Sequence, residues 1–186
     1  MSEVEVKGTG LISTRTYIKE RFSDRYEEWL KALPQEARVY YEDIIPTTNW
    51  FPIKEAYFYP LKTTADMFFE GDMKAAGLDI GRFSADYGLK GVYKVFLMMA
   101  TPQALMRASK RIISLYYKGV DVDILEVKKK SLVLAATQVC KDNPNMDYRT
   151  IGWCVRALEL AKCKGVQYDI ISSADDSKFA IRLSWI

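Results

Sequence analysis

The chain has 186 residues, about half of them hydrophobic, and a formal net charge of only +3. That composition excludes a disordered chain, and with no Lys/Arg-rich stripe along any long segment it argues against nucleic acid as a partner. The absence of His removes Ser-His-Asp and Cys-His catalysis, His-ligated zinc and His-ligated haem together.

Three Cys without paired spacing predict a reducing compartment, not a disulfide scaffold. Met1 to Lys7 is polar and acidic, an extended arm and not a signal peptide. The longest apolar run, Val95 to Ala100, is far too short to span a membrane. These features predict one cytoplasmic domain over residues 1–186, with a helical part (1–117) and a sheet part (118–186).

After Gly8 and Gly10, Leu11, Ile12, Ile18 and Phe22 recur at helical spacing. Ser23 is a candidate N-cap for a second helix with Tyr26, Trp29, Leu30 and Leu33 as its apolar stripe. Pro34 suits the first position of a third, which Pro46 ends near Ile45. Pro46 to Pro52 reads as a loop in which Trp50 and Phe51 plug the core or cap a pocket. Ile53 to Phe69 reads as helix interrupted at Pro60, with Tyr59 driven out of the helical region. Gly71 is a stop, and Met73 to Tyr87 a further helix. Its Gly77 and Gly81 share one face, where another backbone or a ligand can approach closely.

In the helix expected over 89–100, Val92, Tyr93, Val95, Phe96, Leu97, Met98 and Met99 are apolar on almost every side, as in a helix central to its domain. Thr101 and Pro102 start another, running to Tyr117. From Lys118 the pattern changes. Val120, Val122 and Ile124 alternate with Asp121, Asp123 and Leu125, and Phe179, Ile181, Leu183 and Trp185 with Ala180, Arg182 and Ser184, the mark of half-buried antiparallel strands. Lys128 to Lys130 is a hairpin tip and Ser131 to Gln138 the second strand. Asn145 or Asp147 caps a helix that Gly165 ends. Val166 to Ser173 is strand three, 174–177 a turn, and the last strand closes the chain. The connection through the helix is long enough that strands two and three need not be neighbours. The expected fold is α+β: a multi-helix layer on a four-stranded antiparallel ββαββ sheet.

No catalytic motif stands out. The acidic pairs Glu27/Glu28, Glu42/Asp43 and Asp175/Asp176 lie in exposed runs and do not share a helix face. Cys154 reads as a small hydrophobe. The Met- and aromatic-rich middle helices fill a core or line an adaptable apolar pocket.

The layout resembles the ligand-binding fold shared by haem nitric-oxide/oxygen-binding domains, bacterial 4-vinyl reductase domains and TRAPP-type trafficking subunits. The resemblance rests on Phe83-Ser84-x-x-Tyr87-Gly88-x-x-Gly91-x-Tyr93 and Leu105-Met106-x-x-x-x-Arg111. It rests also on Val6-Lys7-Gly8 and Trp50-Phe51-Pro52, which resemble uncharacterised bacterial proteins of similar length. The haem-binding members use an axial His and a Tyr-x-Ser-x-Arg motif. Here the corresponding run is Leu134-Ala135-Ala136-Thr137-Gln138, and no segment between Tyr117 and the first strand can carry the His.

The resemblance therefore implies a haem-free, non-enzymatic sensory domain without a cofactor. An apolar small molecule or acyl chain would lie between the sheet and the helices at 60–70, 89–100 and 102–117. Tyr93, Phe96, Met99, Leu105, Ile112 and Tyr116 are the expected pocket walls, with Trp50 near the mouth. The alternative is a protein-interaction module, a homodimer or a partner of another protein, with a packed core and Tyr40, Tyr41, Phe58 and Trp185 exposed. An enzyme using Cys, Tyr or Lys would require a clefted residue with a shifted pKa and a hydrogen-bonded partner.

Overall fold

A computed structural model describes residues 4–89, 101–138, 143–171 and 178–186. Strand β1 (Glu5–Lys7) runs straight into helix α1 (Gly8–Arg21). A 3₁₀ turn at Ser23–Arg25 precedes α2 (Tyr26–Ala32) and α3 (Gln35–Glu42). Strand β2 (Trp50–Pro52) is followed by a π-helical turn (Lys54–Phe58), α4 (Tyr59–Phe68), α5 (Met73–Gly88) and α6 (Pro102–Ser114). Strands β3 (Tyr117–Lys118), β4 (Val122–Val127) and β5 (Ser131–Thr137) precede α7 (Asp147–Leu160), β6 (Gln167–Ile171) and β7 (Lys178–Ser184). The architecture is α+β, with helices packed on a four-stranded antiparallel sheet of order β4-β5-β7-β6. Strands β5 and β6 are separated by β7, as the long connection between them allows.

Several expectations are corrected. Trp50 to Pro52 is a strand and not part of a loop: β1 pairs with β2 and with β3 in a second, three-stranded sheet. Ser23 does not cap α2 through its side chain, and Pro34 stands just before α3, which ends at Glu42 rather than Ile45. Tyr59 stays helical, at φ −61° and ψ −46°. The widened π-helical turn carries the chain past Pro60, which has no N–H to offer the Ala56 carbonyl. The Tyr41 hydroxyl donates to that carbonyl instead, at 2.7 Å. Asn143, not Asn145 or Asp147, caps the turn that opens α7, its side chain accepting from the Asn145 N–H at 3.1 Å. A bulge in β4 breaks the expected alternation, leaving Ile124 38% and Leu125 60% exposed. Helix α6 stops at Ser114, three residues short of Tyr117. The expected helix over 90–100 and the turn over 174–177 lie outside the described residues.

Two apolar clusters result. One joins α1 to α5 around Tyr17, Trp29, Tyr41 and Leu61. The other lies between α7 and the sheet, around Ile151, Leu158, Leu132 and Leu183. The two are stitched where α5 crosses α7. There Gly81 faces the Arg149 carbonyl and Gly152 the Leu78 carbonyl, so close that a methyl group at either glycine would overlap backbone. Gly77 also packs against this crossing, so the shared glycine face serves helix packing.

Candidate functional site

The helix crossing brings five chain segments around a cavity of about 210 Å³. Thr9, Gly10 and Ser13 come from the first turns of α1, and Ser84, Tyr87 and Gly88 from the end of α5. Ile112 and Ile113 come from α6, with Tyr116 and Tyr117 just beyond it. Arg149, Thr150, Trp153 and Cys154 from α7 complete the wall, and Tyr57 reaches in from the π-helical turn. A hollow of about 30 Å³ shares Ile112, Ile113, Trp153 and Cys154 with it and reaches the sheet at Leu134. The geometry follows from small residues at the helix ends: Gly10 leaves room for the Tyr57 hydroxyl where a Cβ would collide with the ring.

The wall is mostly aromatic and aliphatic, but one cation stands in it. Arg149 is 3% exposed. Its Nη2 donates to Thr14 Oγ1 at 2.9 Å and Ser84 Oγ at 3.2 Å, with a longer contact to the Gly10 carbonyl at 3.5 Å. The guanidinium carbon lies 3.7 Å from the centroid of the Tyr57 ring, a close cation–π contact. Ser13 donates to Ser84 at 3.0 Å, extending the hydroxyl chain along the α1–α5 seam. Arg149 Nη1, Thr9 Oγ1 and Thr150 Oγ1 are buried and take no hydrogen bond of normal geometry. The Tyr117 hydroxyl is near Thr150 without being aligned to bond it well.

Burial pushes the Tyr57 and Tyr117 hydroxyls up from the usual tyrosine range, Arg149 offsetting part of the rise. Burial alone pushes the Cys154 thiol up to about 12. Among the described residues no cation acts on this thiol to activate it, and the described wall carries one cation, Arg149. Among the described residues, no group of three Cys, Asp or Glu side chains is placed to hold a metal ion.

Of the residues expected to form the pocket, Ile112 and Tyr116 line the main cavity together, and Leu105 lines the smaller hollow. Trp50 is not among the lining residues. It lies on β2, with the Lys118 ammonium 4.5 Å and the Lys7 ammonium 5.7 Å from its ring centroid. Tyr93, Phe96 and Met99 lie outside the described residues. Sequence reasoning missed the α1 and α7 walls, Arg149 above all. The available signal was the set of small and hydroxylic residues Thr9, Gly10, Ser13 and Thr14 on an otherwise apolar helix start. The side chains expected to be exposed are not: Tyr41 is 1% exposed and Tyr40 packs edge-on against Phe51, while Phe58 and Trp185 are half-buried. Their apolar surface is used in packing.

No family model and no curated protein matches the chain by sequence. Its fold is similar to solved H-NOX domains. An Fe(II) unliganded variant of the K. algicida H-NOX protein aligns with a TM-score of 0.73 and 11% identity, over 97% of this chain and 96% of that one. A variant H-NOX protein from S. oneidensis in the Fe(II) ligation state gives 0.73 and 9%, over 97% and 96%. A T. tengcongensis H-NOX variant gives 0.63 and 16%, over 96% and 97%. At these identities the likeness establishes the fold alone.

The residues present do not fit an imidazole-ligated haem, because the chain has no His. Thiolate and phenolate are alternative axial ligands, both anionic, and burial keeps Cys154, Tyr57 and Tyr117 protonated. The cavity of about 210 Å³ also lies below the roughly 300–1,000 Å³ of drug-sized ligand sites, and a porphyrin is larger than those ligands.

Proposed function

We propose that the chain is a haem-free, non-enzymatic sensory domain that holds an apolar small molecule or acyl chain where α1, α5, α6 and α7 meet. It acts as one unit, the helical part (1–117) and the sheet part (118–186) sharing the guest. The observation that carries this reading is the cavity of about 210 Å³ with mainly aromatic and aliphatic walls. A dry apolar cavity of about 150 Å³ is enough to take up benzene. The small hollow beyond Trp153 and Cys154 offers an apolar tail a route toward the sheet. Kinship with bacterial 4-vinyl reductase domains and TRAPP-type subunits belongs to the same proposal. Among the described residues the wall offers no nucleophile–base pair: Ser13 and Ser84 bond to each other, and Cys154 stays protonated.

Titration with a dye that fluoresces on entering apolar surroundings tests this reading. The wild-type chain is expected to saturate with dye. Ile113→Trp and Cys154→Phe, each filling the cavity, are expected to lose the signal while unfolding cooperatively. Equal dye binding by the wild type and both folded variants would overturn the reading.

A second reading, a protein-interaction module, is favoured by edge strand β4. Leu125 and Val127 are 60% and 47% exposed there, beside unpaired backbone. Light scattering on the ligand-free chain distinguishes the two: a dimer lost in Leu125→Lys supports this reading, and a monomer removes it.

A further inference from the structure

We infer that the guest is an organic anion, a monocarboxylate with an apolar tail, and that Arg149 binds its head group. The inference deepens the apolar-guest reading and rests on it. A guanidinium stays charged under all physiological conditions, and burying a charge is strongly unfavourable unless an opposite charge meets it. Arg149 is almost fully buried, yet among the described residues no carboxylate lies within ion-pairing distance of it. Asp147, two residues upstream, is also buried and has an interaction of its own. The oxygens that Arg149 does meet belong to Gly10, Thr14 and Ser84, all neutral. The tyrosines around it do not supply the missing charge, since burial holds the protons on Tyr41, Tyr57 and Tyr117.

The polar atoms left over are concentrated here. Among the described residues, five buried side-chain nitrogen or oxygen atoms lack a hydrogen bond. Three of them, Thr9 Oγ1, Thr150 Oγ1 and Arg149 Nη1, belong to residues of this one cavity wall. A carboxylate accepts several hydrogen bonds at once and neutralises the cation, and the planar guanidinium fork matches it. The remaining wall, with Tyr87, Ile112, Ile113, Tyr116 and Trp153, suits a hydrocarbon body. Scaled from benzene in a cavity of about 150 Å³, the cavity and the adjoining hollow together admit a guest of about ten non-hydrogen atoms. Medium-chain fatty acids and arylalkanoic acids share that size and chemistry.

Isothermal titration of the full chain with octanoate and 3-phenylpropanoate, against octanol and 3-phenylpropanol, tests the inference. The acids are expected to bind at least about thirtyfold more tightly than the alcohols. Arg149→Met is expected to remove that preference by weakening the acids while sparing the alcohols, with Arg149→Lys between. Whichever acid binds more tightly identifies the source, acyl or aryl. Alcohols binding as tightly as acids would overturn the anion inference and leave the apolar-guest reading standing. If neither acids nor alcohols bind, both fail. Should Arg149→Met not fold, the acid-to-alcohol ratio of the wild-type chain decides the matter alone.

Discussion

Gly81 has little freedom to change because its neighbour across the crossing is backbone, not a yielding side chain: the Arg149 carbonyl, and the Trp153 nitrogen 2.9 Å from where a Cβ would stand. Alanine is the better helix former by roughly 1 kcal/mol, but forcing two helices apart costs more. Gly81→Ala is expected to destabilise the fold by about 2 kcal/mol, a drop of about 4–8 °C in Tm for a chain of this length. A thermal scan showing an unchanged or higher Tm would mean that the crossing is looser than described. Tyr41 offers a second test at this scale. Its hydroxyl serves a carbonyl that Pro60 leaves without a donor, so Tyr41→Phe is expected to cost about 1–3 kcal/mol, the penalty of an unmet buried acceptor. Chemical denaturation measures it, and a cost near zero would show that another donor replaces the hydroxyl. Cys154 gives a third. With its thiol held near 12, iodoacetamide at pH 8 should label it at least about a hundredfold more slowly in the native chain than in urea. Equal rates, followed by peptide mass spectrometry, would place the thiol in contact with solvent. The glycine face was legible in the sequence because four-residue spacing fixes a helix face. Arg149 was not, because Asp147-Tyr148-Arg149 reads as an ordinary polar first turn. Its burial depends on α1 and α5, far away along the chain.

Elements with their own local chemistry were readable, and those made by distant pairing were not. Thr101 before Pro102 announces α6, and the Thr101 hydroxyl does accept from the Ala104 N–H at 3.1 Å. The hairpin of β4 and β5 and the closing strand β7 follow from alternation and from the lysine tip. The second sheet was hidden because its strands are two or three residues long, too short for any periodicity. Their partners are also separated by much of the chain: Val6 pairs with both Phe51 and Tyr117. The bulge in β4 was hidden for a related reason, since Leu125 reads as one more apolar strand residue until its partner β5 fixes the register. Helix α5 carries a cap that alternation alone does not reveal. Asp72 accepts from the Lys74 and Ala75 N–H groups at 2.9 and 3.0 Å. Asp72→Ala is expected to cost about 1 kcal/mol, seen as a Tm lower by about 2–4 °C, with dye binding in the cavity intact. An unchanged Tm would show that solvent satisfies those donors equally well.

For the molecule as a whole, the buried hydroxyls set its behaviour in alkali. Tyr17, Tyr41 and Tyr57 are buried. All three titrate above their ordinary value, chiefly because burial disfavours the phenolate. Their folded pKa is raised, so the stability they contribute is fully present below about pH 10 and is lost as pH rises beyond it. In that range the unfolded chain releases protons that the native chain keeps. The expected loss approaches about 1.4 kcal/mol per pH unit for each group, and denaturation midpoints at pH 9, 10 and 11 should fall accordingly. Tyrosinate absorbance from these residues should appear only together with unfolding, and its appearance in the native chain would contradict the burial described.

The fold class was legible throughout because the chain's last third carries its own pattern. The position of the cavity was only half legible. Ile112 lies on a helix whose face can be counted from Thr101, and Tyr116 follows just past its end, whereas the α1 and α7 walls exist only once the glycine crossing has formed. The central claim is a fold shared with haem proteins that here receives a small guest in place of haem. Native mass spectrometry of the purified chain, before and after incubation with octanoate, addresses it most directly. The account predicts a complex with a single small organic acid that dissociates on denaturation. A chain that stays bare with octanoate, or that carries haem, would contradict it.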